Sequence, residues 1–377
     1  MSPSTLSNRA LNRALLARQF LLEPVPVPAA DSAAARAARV IETVEHLGGL
    51  QAQAPFPPYY GLWSRLVDFR PDELATLLTG RQVVRIALMR GTIHLVSARD
   101  ALALRPLLEP VLKRGLSGAF SRQLAGVDLA ALAAAGRELV EQEALTFSEL
   151  GARLAERWPG SPPNALAQGV RALVPLIQVP PRAVWGTTGQ ARHVPVETWL
   201  GREPGGGTLD DLVLRYLAAF GPATVADVQA WSGLTRLREV TDRLAPALRR
   251  FTGPGGAELF DLPDAPRPDP ETPAPVRLVA EFDNLILSHA DRSRVLSEAG
   301  RARIFTPNGQ FPGIVLAGGL VAGMWRITRA RQAVTLTVEA FGSFGPADRA
   351  AIAAEGVRLL GFAAPGAGPD VRFGPLR

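Results

Sequence analysis

Apolar residues recur at helical spacing over the first fifty positions and then give way to alternation. Leu11, Leu15, Leu16 and Phe20 share one side of a helix predicted over 8–22, opened by Ser7 and stopped by Pro24, Pro26 and Pro28. A second run, capped by Asp31, puts Val40, Ile41, Val44 and Leu47 on one face and ends at Gly48-Gly49, as helix C-termini prefer. Leu50-Gln51-Ala52-Gln53-Ala54-Pro55 follows directly. Pro55 biases Ala54 away from helix, and an extended backbone there turns Gln51 and Gln53 to the same side. Pro71-Asp72-Glu73 opens a third helix with both acids favourable to its dipole. Residues 91–96, Gly-Thr-Ile-His-Leu-Val, alternate as a strand does.

The middle of the chain repeats the theme. A short amphipathic helix spans 147–158, beginning at Ser148. A Pro/Gly turn follows at 159–163, and Asn164 caps another helix through Leu173. Ile177–Val179 and Ala183–Trp185, split by Pro180-Pro181-Arg182, then read as a hairpin. Helix, turn, helix, hairpin is the order of a winged helix-turn-helix. A clearer copy follows, with helices over 208–220, 224–232 and 235–244, Thr224 and Thr235 as caps, and Gly233 in the turn. Residues 251–262, broken by Gly253-Pro254-Gly255-Gly256, form its wing. Arg236, Arg238 and Arg243 fall on the last helix, with 236 and 243 on one face, as a DNA recognition helix requires. A solvated helix face has the same appearance.

Residues 263–275 are dense in proline and read as a semi-rigid linker. Beyond them strands are predicted over 276–282, 313–316, 320–327 and 333–341, with a hairpin turn at Gly318-Gly319. A helix covers 347–355, and the end is a loosely held tail. The fold class expected is α+β: three tandem winged helix-turn-helix units and a β-rich C-terminal region. The corresponding domains are 1–140, 141–205, 206–265 and 266–377.

Composition sharpens this picture in three ways. The 377 residues include no cysteine, which excludes disulfides, thiolate metal sites and cysteine nucleophiles. The 41 basic and 35 acidic residues leave a formal charge of +6, and Lys113 is the only lysine, so the positive charge is almost all guanidinium. Arginine's planar fork suits phosphate and base edges. Finally, no window is apolar enough to span a bilayer and no signal-peptide core precedes a cleavage site, so the chain reads as soluble and cytoplasmic.

Little in the sequence looks like general acid–base machinery. His46, His94, His193 and His289 lie far apart and make no metal-ligand spacing, and there is no nucleophile elbow or phosphate-binding glycine loop. No metal and no cofactor are expected. The paired amides of Gln51 and Gln53 cannot exchange protons at neutral pH, but they can hold a water or polar ligand. Taken alone, their spacing favours a plain polar turn after a helix. Several helix-turn-helix units with an arginine-rich charge point to duplex DNA, held mainly through phosphates.

Four stretches resemble the bacterial winged-helix DNA glycosylases of the AlkZ and YcaQ group. They are Leu50 to Pro55, Arg90-Gly91-Thr92-Ile93-His94-Leu95-Val96, Glu281-Phe282-Asp283-Asn284 and Gly323-Met324-Trp325-Arg326. The resemblance covers nearly the whole chain. It implies a concave basic DNA surface and a catalytic glutamine–aliphatic–glutamine signature at Gln51 and Gln53. The YcaQ branch is similar but carries Asp at the second glutamine position, so Gln53 sides with the AlkZ branch, whose activity includes unhooking azinomycin-type interstrand crosslinks.

The implied substrate is double-stranded DNA with N7-alkylpurine lesions or crosslinks. Such a base is cationic and its glycosidic bond already weakened, so the two amides need only orient water and, through their carbonyl dipoles, steady the oxocarbenium-like sugar. Arg90 and His94 are expected as pocket neighbours, and Arg236, Arg238 and Arg243 as DNA contacts. With Lys113 as the sole lysine, a Schiff-base lyase step is not expected. The enzyme should act as a monomer. The alternative is a winged-helix transcription regulator, for which the glutamine pair would be structural.

Overall fold

The computed structural model describes residues 4–28, 32–305, 311–330 and 333–376. Helices packed beside two largely antiparallel sheets make this an α+β fold. The N-terminal helix Asn8–Arg18 is capped by Ser7, and Gln19 ends it before Phe20 turns left-handed (φ 55°). The helix Ala33–His46 is capped by Ser32, whose hydroxyl accepts from Ala35 N. The predicted cap Asp31 lies outside the described residues. Gly48 and Gly49 follow at positive φ. A Cβ on Gly49 would sit 2.6 Å from Val96 Cγ1, so both its conformation and its close approach demand glycine.

Two five-stranded sheets organise the molecule. The first runs in the order Leu50–Gln51, Ile93–Ser97, Val83–Ala87, Leu176–Gln178, His193–Pro195, antiparallel throughout. Strands from before and after residue 140 thus share one ladder. The second comprises Arg277–Val279, Gly313–Ala317, Leu320–Ala330, Ala333–Ala340 and Asp370–Phe373, with only the last pair parallel. A core of Val40, Val44, Tyr59, Leu62, Leu278, Trp325 and Leu359 joins the N-terminal helices to this C-terminal sheet. A second core, around Tyr216, Phe220 and Trp231, holds the 209–232 helices against the first sheet.

Several expected boundaries move. Ala183–Trp185 is no strand. Pro181 offers no N–H, Ala183 is left-handed (φ 66°), and Trp185 packs edge-on against Phe56 and Tyr60. Strand His193–Pro195 takes its place beside Leu176–Gln178. The helix Phe147–Arg157 is capped by Thr146, not Ser148, in a reciprocal box with Glu149, and Asn164 lies inside Pro163–Leu173 rather than capping it.

In the next unit, helix Val225–Ser232 has its expected Thr224 cap, Thr208 caps Leu209–Phe220, Gly233 turns at φ 82°, and Arg249–Thr252 pairs with Glu258–Asp261 as a hairpin. The following helix, however, is only Arg238–Leu244. Thr235 does not cap it; Gln229 Oε1 accepts the N–H of Leu237 instead, and Arg236 stands outside at φ 61°. Arg236 and Arg243 therefore do not share a helix face.

At the C-terminus, the strand predicted over 276–282 is confined to Arg277–Val279, because Phe282 turns left-handed (φ 59°) and Asp283 caps the short helix Asn284–Leu287. The supposed loose tail contributes strand Asp370–Phe373, tied by Thr335 Oγ1 donating to Asp370 (2.7 Å). The sequence also left unassigned the helices Pro57–Trp63, Ala98–Leu107, Glu109–Phe120 and Leu129–Gln142 and strand Val83–Ala87.

Candidate active site

Leu50–Gln51 is an edge strand, paired Leu50 to Leu95 and Gln51 to His94. The ladder continues one step further, with Ala52 N donating to Ile93 O at 2.7 Å. Gln53 then replaces backbone with side chain: its Oε1 accepts from Ile93 N at 2.9 Å. Gln51 is buried and Gln53 exposed.

The Gln51 amide is oriented by Arg90. Arg90 Nη2 donates to Gln51 Oε1 (2.7 Å) and to Asn284 Oδ1 (3.2 Å), and Nη1 donates to Trp231 O (2.7 Å). Asn284 Nδ2 in turn donates to Gly49 O (3.0 Å), two residues before Gln51. A guanidinium has no acceptor, so the amide group facing it must be the carbonyl. Burial, reinforced by the Arg292 charge, pushes the Arg90 guanidinium down to about 10, well within the charged range at neutral pH. Arg90 itself adopts φ 57°, a conformation uncommon for a side chain of this size.

His94 lies opposite Gln51 in the ladder but is wholly buried. Its Nδ1 meets Thr92 O at 3.1 Å, which fixes the proton on Nδ1, and its Nε2 has no partner among the described residues. Burial first, then the Arg90 charge, lowers its pKa to about 3, so the ring is neutral. His94 is a neighbour of the site without access to a ligand.

Three supporting groups escaped the sequence reading. Arg85, buried in strand Val83–Ala87, donates to Ala52 O (2.8 Å) and Ala54 O (3.3 Å), pinning both carbonyls around Gln53, and also reaches Gln178 Oε1. Arg65 grips Asp283 through two parallel hydrogen bonds (2.8 and 2.9 Å), with both side chains buried. Asn284 bridges Gly49 and Arg90 as above. For Arg85 the cue is an arginine inside the apolar run Val-Val-Arg-Ile-Ala, since a buried charge needs partners, and here they are the turn's carbonyls; Asn284 belongs to the Glu281-to-Asn284 stretch, which gives it no stated role.

The turn after Gln53 opens onto two cavities. One, of about 630 Å³, is walled by Phe56, Tyr60, Trp185 and Trp325. The other, of about 610 Å³, is bounded by Phe282, Arg303, Phe311 and Arg326. Among the described residues no three His, Asp or Glu side chains group as a metal site would need.

The arginines expected on DNA are all exposed. Arg238 pairs with Glu258 (2.9 Å) and Asp242, and Arg243 with Asp210, whereas Arg236 makes no hydrogen bond or ion pair among the described residues. Exposed pairs of this kind are worth about 0–1 kcal/mol, which a phosphate can displace.

The sequence profile of the family described as "DNA glycosylase AlkZ-like" matches residues 44–362, and the chain belongs to that family. Among solved structures it is similar to the Streptomyces sahachiroi DNA glycosylase AlkZ, with a TM-score of 0.78 over 98% of this chain and 100% of that one, at 19% identity. A comparison with curated proteins matches nothing. No helix among the described residues is long and apolar enough to cross a membrane.

Proposed function

We propose that the protein is a monofunctional, monomeric DNA glycosylase that hydrolyses the N-glycosidic bond of cationic N7-alkylpurines in duplex DNA, including azinomycin-type interstrand crosslinks. Family membership supports glycosylase chemistry, and the observation that carries the site assignment is the Arg90–Gln51 contact. It fixes one amide in one orientation three residues before Ala54, which lines both open cavities. The reading takes Gln51 and Gln53 as catalytic and the three tandem winged-helix units as a concave platform for DNA in the cytoplasm.

An N7-alkylpurine already carries the positive charge that other bases acquire by protonation, so the leaving group needs no acid. What remains is placement of water and control of charge at the sugar. The expected use of both carbonyl dipoles needs revision: Gln51 Oε1 already accepts from Arg90 and Gln53 Oε1 from Ile93 N. Each oxygen keeps one lone pair, and each Nε2 keeps its donors, so the amides can hold a water by both ends. Lys113 sits on the outer face of helix Glu109–Phe120, paired with Glu109 at 2.6 Å, which supports hydrolysis without a Schiff base. Arg236, Arg238 and Arg243 would meet phosphates.

The test is base release from duplex DNA containing 7-methylguanine, comparing wild type with Gln51→Ala and Gln53→Ala at matched folding. Release by wild type and a loss of tenfold or more in each variant, roughly 1.4 kcal/mol of barrier, is expected. Undiminished release by both variants would move the chemistry elsewhere, and borohydride trapping of an enzyme–DNA adduct would overturn the monofunctional assignment.

A further inference from the structure

Glu281 stands at the boundary between the two cavities. It lines both, and the other residue common to both is Ala54, directly after Gln53. It is half-buried, yet among the described residues its carboxylate makes no hydrogen bond and no ion pair. Burial pushes its carboxyl up from the ordinary carboxylate range, with the Arg326 charge opposing the shift from beyond pairing distance. Its oxygens stay open to the cavities rather than sealed in the core, so this partly desolvated carboxylate is available to a ligand or water there.

Its backbone is held in place from the other side. Phe282 is left-handed, Asp283 is locked by Arg65, and Asn284 is bonded to both Gly49 O and Arg90. The same two anchors therefore fix Glu281 relative to the Gln51–Gln53 turn. The remaining charged groups on the cavities are Arg303 and Glu339, which pair with each other, Arg326, and Arg329 at the exposed rim, which donates to Ala363 O.

We propose that Glu281 is a catalytic carboxylate of the glycosylase reaction, facing the deoxyribose of the target nucleotide while the Phe56–Tyr60–Trp185–Trp325 cavity receives the departing purine. This rests on the glycosylase reading above. Before cleavage the positive charge is on the base; as the C1′–N9 bond breaks, its electron pair returns to N9, the purine becomes neutral and the charge moves to C1′ and O4′. A carboxylate favours the transition state only if it lies on the sugar side. Water then forms the C1′–O bond and gives its proton to Glu281, which releases it to solvent. The neutral purine is held by stacking on aromatic faces.

The experiment is single-turnover release of 7-methylguanine from duplex DNA across pH, with DNA affinity and thermal midpoint measured alongside. Glu281→Gln is expected to release base at least 100-fold more slowly than wild type, with unchanged affinity and midpoint, and to lose the acid limb of the rate profile. Glu281→Asp, which withdraws the carboxylate by one methylene, should lose rate but keep that limb, and it serves as the test should the glutamine variant fold poorly. Release within threefold of wild type by Glu281→Gln, or an acid limb that survives in it, would overturn the assignment while leaving the glycosylase reading intact. A wild-type protein that releases no base would instead remove that reading and this inference with it.

Discussion

Replacing Arg90 by methionine tests whether the orientation of Gln51 matters. The substitution removes donors at 2.7 Å from Gln51 Oε1, 2.7 Å from Trp231 O and 3.2 Å from Asn284 Oδ1. Hydrogen bonds to a charged group contribute about 1.5–3 kcal/mol each, the longest one least. Against this stands the cost of keeping a guanidinium out of water, visible in its pKa falling to about 10. The net loss of stability should be about 2–4 kcal/mol, measured by urea unfolding. Catalysis should suffer separately. An untethered glutamine side chain regains up to about 2 kcal/mol of rotamer entropy that must be spent again in the transition state, a fall of roughly 10- to 30-fold in release rate. The assay is single-turnover release of 7-methylguanine at saturating enzyme, with affinity for the same duplex measured alongside. Arg90→Lys keeps the charge but not the fork, so it should recover part of the stability and little of the rate. If Arg90→Met releases base at the wild-type rate while Gln51→Ala does not, the orienting role is wrong.

Other perturbations reach different parts of the molecule. His94 and His193 are held neutral by burial, with pKa values of about 3 and about 4, and burial lowers His289 as well. The unfolded chain binds these protons near pH 6.5, so their contribution to stability is complete above that pH and is lost as pH falls toward 4 and below. His94→Asn, which retains a donor for Thr92 O, should flatten the slope of stability between pH 4 and 6 by about 1.4 kcal/mol per unit; an unchanged slope would contradict burial of a neutral ring. Asp283→Ala leaves Arg65 charged and buried and should cost about 3–5 kcal/mol, whereas the double replacement Arg65→Met, Asp283→Leu should cost much less, as compared by denaturant midpoints. Arg236 pairs with no carboxylate among the described residues, so Arg236→Ala should weaken duplex binding more than Arg238→Ala or Arg243→Ala and reduce the salt slope by about 1; the reverse ranking would place the DNA elsewhere.

What the sequence disclosed follows from how local each signal is. The Leu209–Phe220 and Val225–Ser232 helices announce themselves because threonine caps, apolar spacing and Gly233 agree with one another. The Gln51 turn is legible for the same reason, since Gly48, Gly49 and Pro55 bracket it. The helix after Gly233 is shorter than its sequence suggests because Thr235 is a good cap only when its own backbone starts the helix, and Gln229 takes the first N–H instead. Ala183–Trp185 has the residue types of a strand, yet the packing of Trp185 against Phe56 and Tyr59, far earlier in the sequence, prevails. Arg65, Arg85 and Asn284 act through partners that only tertiary structure supplies, and no periodicity marks them. Glu281 was visible within a motif, but its lack of a partner is a property of the fold.

The orientation of the amides divides the chemistry between them and any acid in the site. Arg90 and Ile93 N can only donate, so both glutamines commit their oxygens to protein donors and offer Nε2 as their unencumbered end. A cation bonded to the carbonyl of Gln51 draws electron density toward itself, making that Nε2 a better donor and the oxygen a poorer acceptor. The same cation would repel positive charge growing on the sugar. Gln51 is therefore suited to hold an oxygen atom in place, whether of water or of the DNA, and unsuited to be the main stabiliser of an oxocarbenium. If the glutamines place the water, its proton and the charge at C1′ call for an acceptor of opposite sign across the turn. Beside Ala54, the carboxylate without a partner among the described residues is Glu281.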